Sequence, residues 1–331
     1  MRFTFSMTLA LLMSSGWALA NKTVTVYTER KDHLVQPVFD AYTKKTGVQI
    51  KFLTDNAATL IERLKGEAGK SPADMLLTVD AGNLWSASQA GLFQTINSQS
   101  LDQNVPEYLR DPGKQWFGVS LRARTIVYNP DKVKASDLKS YEQLAEPSFK
   151  KRLCLRSSKK VYNQSLVAMK IAENGEAATE KVVRGWVSNL AAPVFQDDTK
   201  LIEAVAAGQC DLGIVNTYYY GRLLEKNPKL KAKLFFPGKD QGGAHVNISG
   251  AGILKAAPQK DEAIKLLEWL TTPEAQNLFA DINHEYPVNP QVKPSSLVQS
   301  WGSFDTNLIN ISKAGELQAQ AIKLMDRAGY N

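Results

Sequence analysis

The chain is poor in the residues that most metal and catalytic sites use. Its 331 residues include only two cysteines and three histidines. His33, His245 and His284 stand far apart, with no His-x-x-x-His or His-Glu spacing. A paired-histidine metal site is therefore excluded, and each imidazole is left as an isolated candidate ligand. A nucleophile elbow, a zinc signature and a phosphate-binding glycine loop are all missing, which argues against an exported enzyme. There is no internal repeat and no low-complexity tract. No block of basic residues is interleaved with aromatics, and lysines alternate with acids in stretches such as KDHLV and LLEKNPKLKAKL. The net charge of +7 thus reads as a solvated surface and not as a nucleic-acid face. A positive field of this kind favours anionic ligands.

Long apolar runs are also lacking, apart from one short run at the N-terminus. MRFTFSMTLALLMSSGWALA has a positive start at Arg2, an apolar stretch from Met7 to Met13 and a small-x-small site at Ala18-Leu19-Ala20. The pattern predicts a secretory signal over residues 1–20, too short in its apolar part to span a bilayer. The mature chain then starts at Asn21, and its net charge falls from +7 to +6 because Arg2 is the only charged residue removed. No cysteine lies near the cleavage site to carry a lipid. The expectation is a periplasmic, monomeric protein. Hydrophobic residues make up 44% of the chain and charged residues 22%, enough apolar material for a real core. In an exported protein the even pair Cys154 and Cys210 predicts one disulfide; a two-cysteine metal site would need closer spacing.

Strand-like and helical patterns alternate along the chain. TVTVY, VQIKFL and MLLTV are each followed by a helical stretch, and RLCLRSS and CDLGIV repeat the arrangement in the second half. This alternation predicts an α/β fold with mostly parallel sheets. Two long extended runs, near 119–128 and 246–254, sit between the α/β blocks and predict crossover strands joining two lobes. The expected division is 21–122 plus 247–298 for an N-terminal lobe and 123–246 plus 299–331 for a C-terminal lobe. Ligands of such sheets bind where strands end and helices begin.

At one such junction the sequence reads NTYYYGRL, residues 216–223. Adjacent aromatics at a helix start can simply pack. They can also bind metal: a phenol near pKa 10 is a poor ligand until a strong Lewis acid displaces its proton, and the resulting hard oxygen suits ferric iron. Asn216 is positioned to cap the helix, whose N-terminal amides favour negative charge. Successive residues turn about 100° around a helix, so Tyr218 and Tyr219 are expected to share one target and Tyr220 to be carried aside. A second strand-to-helix stretch, RSSKKVYNQSLVA (156–168), brings Tyr162 together with two serines and Arg156.

In order and combination, VYTER, PADMLLTVDAGNL, LRARTIVYNP, RSSKKVYNQSLVA, NTYYYGRL, HVNISGAGIL and EYPVNP resemble the periplasmic ferric-iron-binding proteins of ABC transporters, the FbpA/FutA type of class II substrate-binding protein. The resemblance covers nearly all of the mature chain. It implies a two-lobed, type II binding-protein fold with two hinge strands, no catalysis, Fe3+ as cargo and an inner-membrane ABC permease as partner. Tyr162, Tyr218 and Tyr219 become the implied metal ligands. Some relatives add a His-Tyr pair after the first strand, where this chain has Arg30-Lys31-Asp32. The chain is instead similar to the subgroup that completes the iron sphere with carbonate or bicarbonate. Arg30 and one arginine of LRAR, Arg122 in preference to Arg124, would hold that anion, with Ser158 donating a hydrogen bond. Two fork-shaped cations suit a planar oxyanion. Tyr27 is expected to be a cleft wall and Arg222, one turn past Tyr218, either a neutralising or a solvated charge. The competing reading is a binding protein of the same fold for a small organic or inorganic anion, with the arginines as primary ligands and the tyrosines as walls.

Overall fold

The computed structural model describes residues 22–331, so the predicted signal segment lies outside the described residues. Eight strands build the sheet: β1 (Thr23–Thr28), β2 (Gln49–Thr54), β3 (Met75–Thr78), β4 (Phe117–Tyr128), β5 (Leu153–Cys154), β6 (Leu212–Asn216), β7 (Lys233–Phe235) and β8 (His245–Ile253). Their spatial order is β2-β1-β3-β8-β4-β6-β5, with β7 paired to β4. The outer pairs β1–β2, β1–β3 and β5–β6 are parallel, as βαβ alternation requires. The central pairs β3–β8, β8–β4 and β4–β6 are antiparallel. Every residue of β4 and of β8 is buried. These are the two long crossover strands, and their mutual pairing joins the two halves of the molecule.

Apolar side chains divide into a first core around Val26, Leu76, Trp116, Ile253 and Leu266 and a second around Ile126, Tyr141, Leu166, Trp186 and Leu324. A third, smaller core gathers Leu201, Val205, Val215 and Tyr220. The first core also takes Val298, Ile311 and Ala314, whereas Ala321 to Tyr330 pack in the second. Among the described residues no helix is long and apolar enough to cross a membrane.

Cys154, at the end of β5, and Cys210, just ahead of β6, form a disulfide with their Cα atoms 5.9 Å apart. Both tyrosine-bearing junctions lie a few residues downstream of these cysteines. Closing a loop of this length stabilises by about 4 kcal/mol in the chain-entropy picture. Gly221, in the helix Thr217–Lys226 that carries the tyrosine triplet, is required by close packing: a Cβ there would lie 2.8 Å from the Trp301 ring.

Candidate functional site

The tyrosines stand where strands hand over to helices. β6 ends at Asn216, whose backbone is extended (φ −77°, ψ 135°), and the helix begins at Thr217. Asn216 is thus the N-cap residue by position. Its side chain does not cap the helix; it donates Nδ2–H to the Tyr218 hydroxyl at 3.2 Å and accepts from Arg124 at 3.2 Å. Tyr162 is the second residue of the helix Val161–Asn174. The start of that helix is tied down by Asn163, which donates Nδ2–H to the carbonyls of Arg156 and Ser157 at 2.8 and 2.9 Å.

One guanidinium connects the two junctions. Arg124 donates from Nε to Asn163 at 2.9 Å, from Nη1 to Asn216, and from Nη2 to the Ile214 carbonyl at 3.1 Å. Its charge is met by the fully buried Asp198 at 2.9 Å, which also faces Arg156 at 3.7 Å. Arg122 and Arg124 thus stand in different surroundings, Arg122 on the wall of a cavity and Arg124 away from it. Arg124 is consumed in aligning the helices, and Arg122 faces the cavity.

That cavity, about 210 Å³, is lined by Tyr162, Tyr218 and Tyr219 together with Arg30, Arg122 and Glu285, with Glu29, Lys31 and Arg222 also on its wall. The rings of Tyr218 and Tyr219 lie 4.3 Å apart. Tyr220 turns away, as the helical rotation predicts, and packs edge-on against Trp301 at 5.8 Å. Guanidinium carbons of Arg122 and Arg156 lie 5.4 Å from the Tyr162 ring, and that of Arg222 lies 5.0 Å from the Tyr218 ring. Burial, reinforced by the neighbouring phenol Tyr219, raises Tyr162 to about 12. Burial and the other two phenols push Tyr218 well above the usual tyrosine value. With no metal to oppose them, both phenols stay neutral at physiological pH.

The arginines do not stand free. Arg30 is paired with Glu285 at 3.1 Å, and Arg122 with Asp80 at 3.4 Å. Each nevertheless keeps a buried N–H without an acceptor, Nε on Arg30 and Nη1 on Arg122. Asp80 is held in place by Ser165 at 2.7 Å and Asn247 at 2.9 Å. Burial raises Asp80 above the usual carboxylate value, against the pull of Arg122. Burial likewise raises Glu29, whose carboxylate accepts from the Val79 amide and from Asn83.

Several sequence expectations need correction. Ser158 does not line the cavity. Its amide is donated to the Asn331 carbonyl and its own carbonyl accepts from Gln164, so this turn is spent on local bonding. Tyr27 does not line this cavity; its hydroxyl donates to Glu67 at 2.9 Å and Arg63 lies over its ring. His33 is exposed, His284 pairs with Glu225 at 3.0 Å, and His245 is buried on β8. Burial, then Arg124 and Arg122, push His245 down to about 3, so it is a neutral core residue. Among the described residues no three His, Cys, Asp or Glu side chains gather as a metal-holding group. The carboxylates Asp80, Glu29 and Glu285 escaped the sequence reading, although VYTER, LLTVD and EYPVNP contain them. No local pattern marks a carboxylate whose partner is dozens or hundreds of residues away.

Comparison with known proteins places these features in context. Residues 38–306 match the family model for bacterial extracellular solute-binding proteins. The chain is 42% identical to iron uptake protein A1 of Synechocystis, over 93% of this chain and 87% of that protein. It superposes with a TM-score of 0.90 on a Trichodesmium FutA (IdiA) structure in complex with iron and citrate, at 44% identity over 93% of this chain and 100% of the other. Against the ferric iron-binding protein A of Mannheimia haemolytica in an open conformation the TM-score is 0.87, with 36% identity over 93% and 99% of the two chains.

Proposed function

Because the chain belongs to the bacterial extracellular solute-binding proteins, and among them to the ferric-iron-binding FbpA/FutA type, we propose that it captures ferric iron in the periplasm and delivers it to an inner-membrane ABC permease. Tyr162, Tyr218 and Tyr219 supply three phenolates, whose charge cancels that of Fe3+. Arg156 and Arg222, beside the rings, stabilise the phenolate form once the metal has displaced the protons. An anion such as carbonate completes the sphere, accepting from the unpaired N–H groups of Arg30 and Arg122. Closure of the two lobes about β4 and β8 traps the ion and forms the surface the permease reads.

The observation that carries this reading is the convergence of three phenols from two helix starts on one cavity, with guanidinium groups beside the rings. Five residues already bind Arg30 and Arg122 internally, which weighs against a binding protein whose main ligand is an anion.

The test is optical. Adding ferric citrate to concentrated iron-free protein is expected to produce a phenolate-to-iron charge-transfer band. Tyr162→Phe, Tyr218→Phe and Tyr219→Phe should each bleach or shift it, and Tyr220→Phe should leave it nearly unchanged. A colourless protein, or equal losses at Tyr219 and Tyr220, would overturn the assignment.

A further inference from the structure

The guanidinium of Arg30 is the most heavily engaged group on the cavity wall. Its Nη1 and Nη2 both lie 3.1 Å from one oxygen of Glu285. Nη2 also donates to Asn283 at 2.7 Å, and Nη1 donates to Ser249. Glu285 in turn accepts from Ser120. Ser120 belongs to β4 and Ser249 to β8, so the pair is bolted to both crossover strands. Arg30 and Glu285 are each about 95% buried, yet both reach the cavity. A carboxylate thus already stands where an oxyanion would meet this arginine, leaving only Nε without a partner.

We propose that Glu285 is a built-in counter-anion that sets how far iron binding depends on an anion from solution. The inference rests on the ferric reading given above. Its carboxylate occupies Nη1 and Nη2 donors that an incoming oxyanion would otherwise use and at the same time offsets cations that repel Fe3+. Removing its charge must move the two ligands in opposite directions. A site one unit more positive holds anions more tightly and ferric ion less tightly, and in a water-poor cleft one charge is worth on the order of tenfold in each. A merely structural role predicts that both are weakened together.

The experiment compares the mature protein with Glu285→Gln in carbonate-free buffer. Calorimetric titration of the iron-free proteins with sulfate and with citrate reads the anion arm. Retention of ferric ion against nitrilotriacetate, followed by the visible band, reads the metal arm. The expected result for Glu285→Gln is anion binding about tenfold tighter and iron retention about tenfold weaker, with retention restored by bicarbonate. The double variant Arg30→Gln/Glu285→Gln removes both charges and should return anion-free retention towards the wild-type level. It also serves if Glu285→Gln alone fails to fold. Anion and iron affinities falling together, or neither moving, would overturn the proposal. If the wild type forms no visible band the ferric reading fails, and the calorimetric arm still decides the counter-anion role: unchanged anion affinity in Glu285→Gln rejects it.

Discussion

Binding iron through phenols that are neutral beforehand must expel protons, and the structure says how strongly. Tyr162 is raised to about 12, so ionising it at pH 7 without metal costs about 7 kcal/mol, against about 4 kcal/mol for an unperturbed phenol. Tyr218 is likewise raised well above the usual tyrosine value, by burial and the two neighbouring phenols. The bond to iron must recover these costs, and every ligand that ionises adds one proton to the balance. With three phenolates the apparent affinity changes by up to about a thousandfold per pH unit. The direction is fixed: retention weakens as pH falls, because protons reclaim the oxygens. The count can be made directly. Ferric nitrilotriacetate is added to weakly buffered, carbonate-free protein at constant pH, the base consumed is recorded, and a chelator blank is subtracted. Close to three protons per iron are expected for the wild type and close to two for Tyr162→Phe. A fully formed visible band with less than one proton released, or an identical count in Tyr162→Phe, would show that the phenols are not the ligands.

Two further predictions concern the scaffold. His245 is depressed to about 3 in the folded protein but titrates near 6.5 when unfolded. Its contribution is therefore complete above pH 6.5 and is lost as pH falls towards 3. Chemical denaturation should show about 2 kcal/mol less stability at pH 5 than at pH 7 from this residue alone, a difference that His245→Asn should abolish. Asp198→Asn leaves Arg124 and Arg156 without their shared carboxylate and should cost about 3 kcal/mol or more. Unchanged melting behaviour in that variant would mean that the buried ion pairs contribute little.

What the sequence could show depended on whether the signal was local. The alternation of strands and helices, the crossover strands and the rotation separating Tyr219 from Tyr220 all follow from spacings of a few residues, and the structure agrees with them. Arg122 and Arg124 could not be separated by spacing, since residues two apart share one side of a strand. Only their distant partners distinguish them, Asp80 for one and Asp198 for the other. Tyr27 lies outside the cavity because its hydroxyl is taken by Glu67, forty positions away, a contact that strand alternation does not reveal. Ser158 stands beside Arg156 and Tyr162 in the sequence, yet the turn it occupies uses its backbone for hydrogen bonds with Asn331 and Gln164. The pairing of Arg30 with Glu285 spans 255 positions, beyond the reach of any pattern along the chain.

The clasp formed by Arg124, Asp198, Asn163 and Asn216 has an evolutionary consequence. Each member satisfies at least two of the others or a neighbouring main-chain group. A single replacement therefore strands a buried charge or amide while the remaining three stay in place, and the penalty falls on both tyrosine-bearing helix starts at once. One-step drift at these four positions therefore carries a stability penalty that paired changes would avoid. A descendant lineage is expected to exchange them together, or to keep them, long after the cavity wall they support has begun to vary.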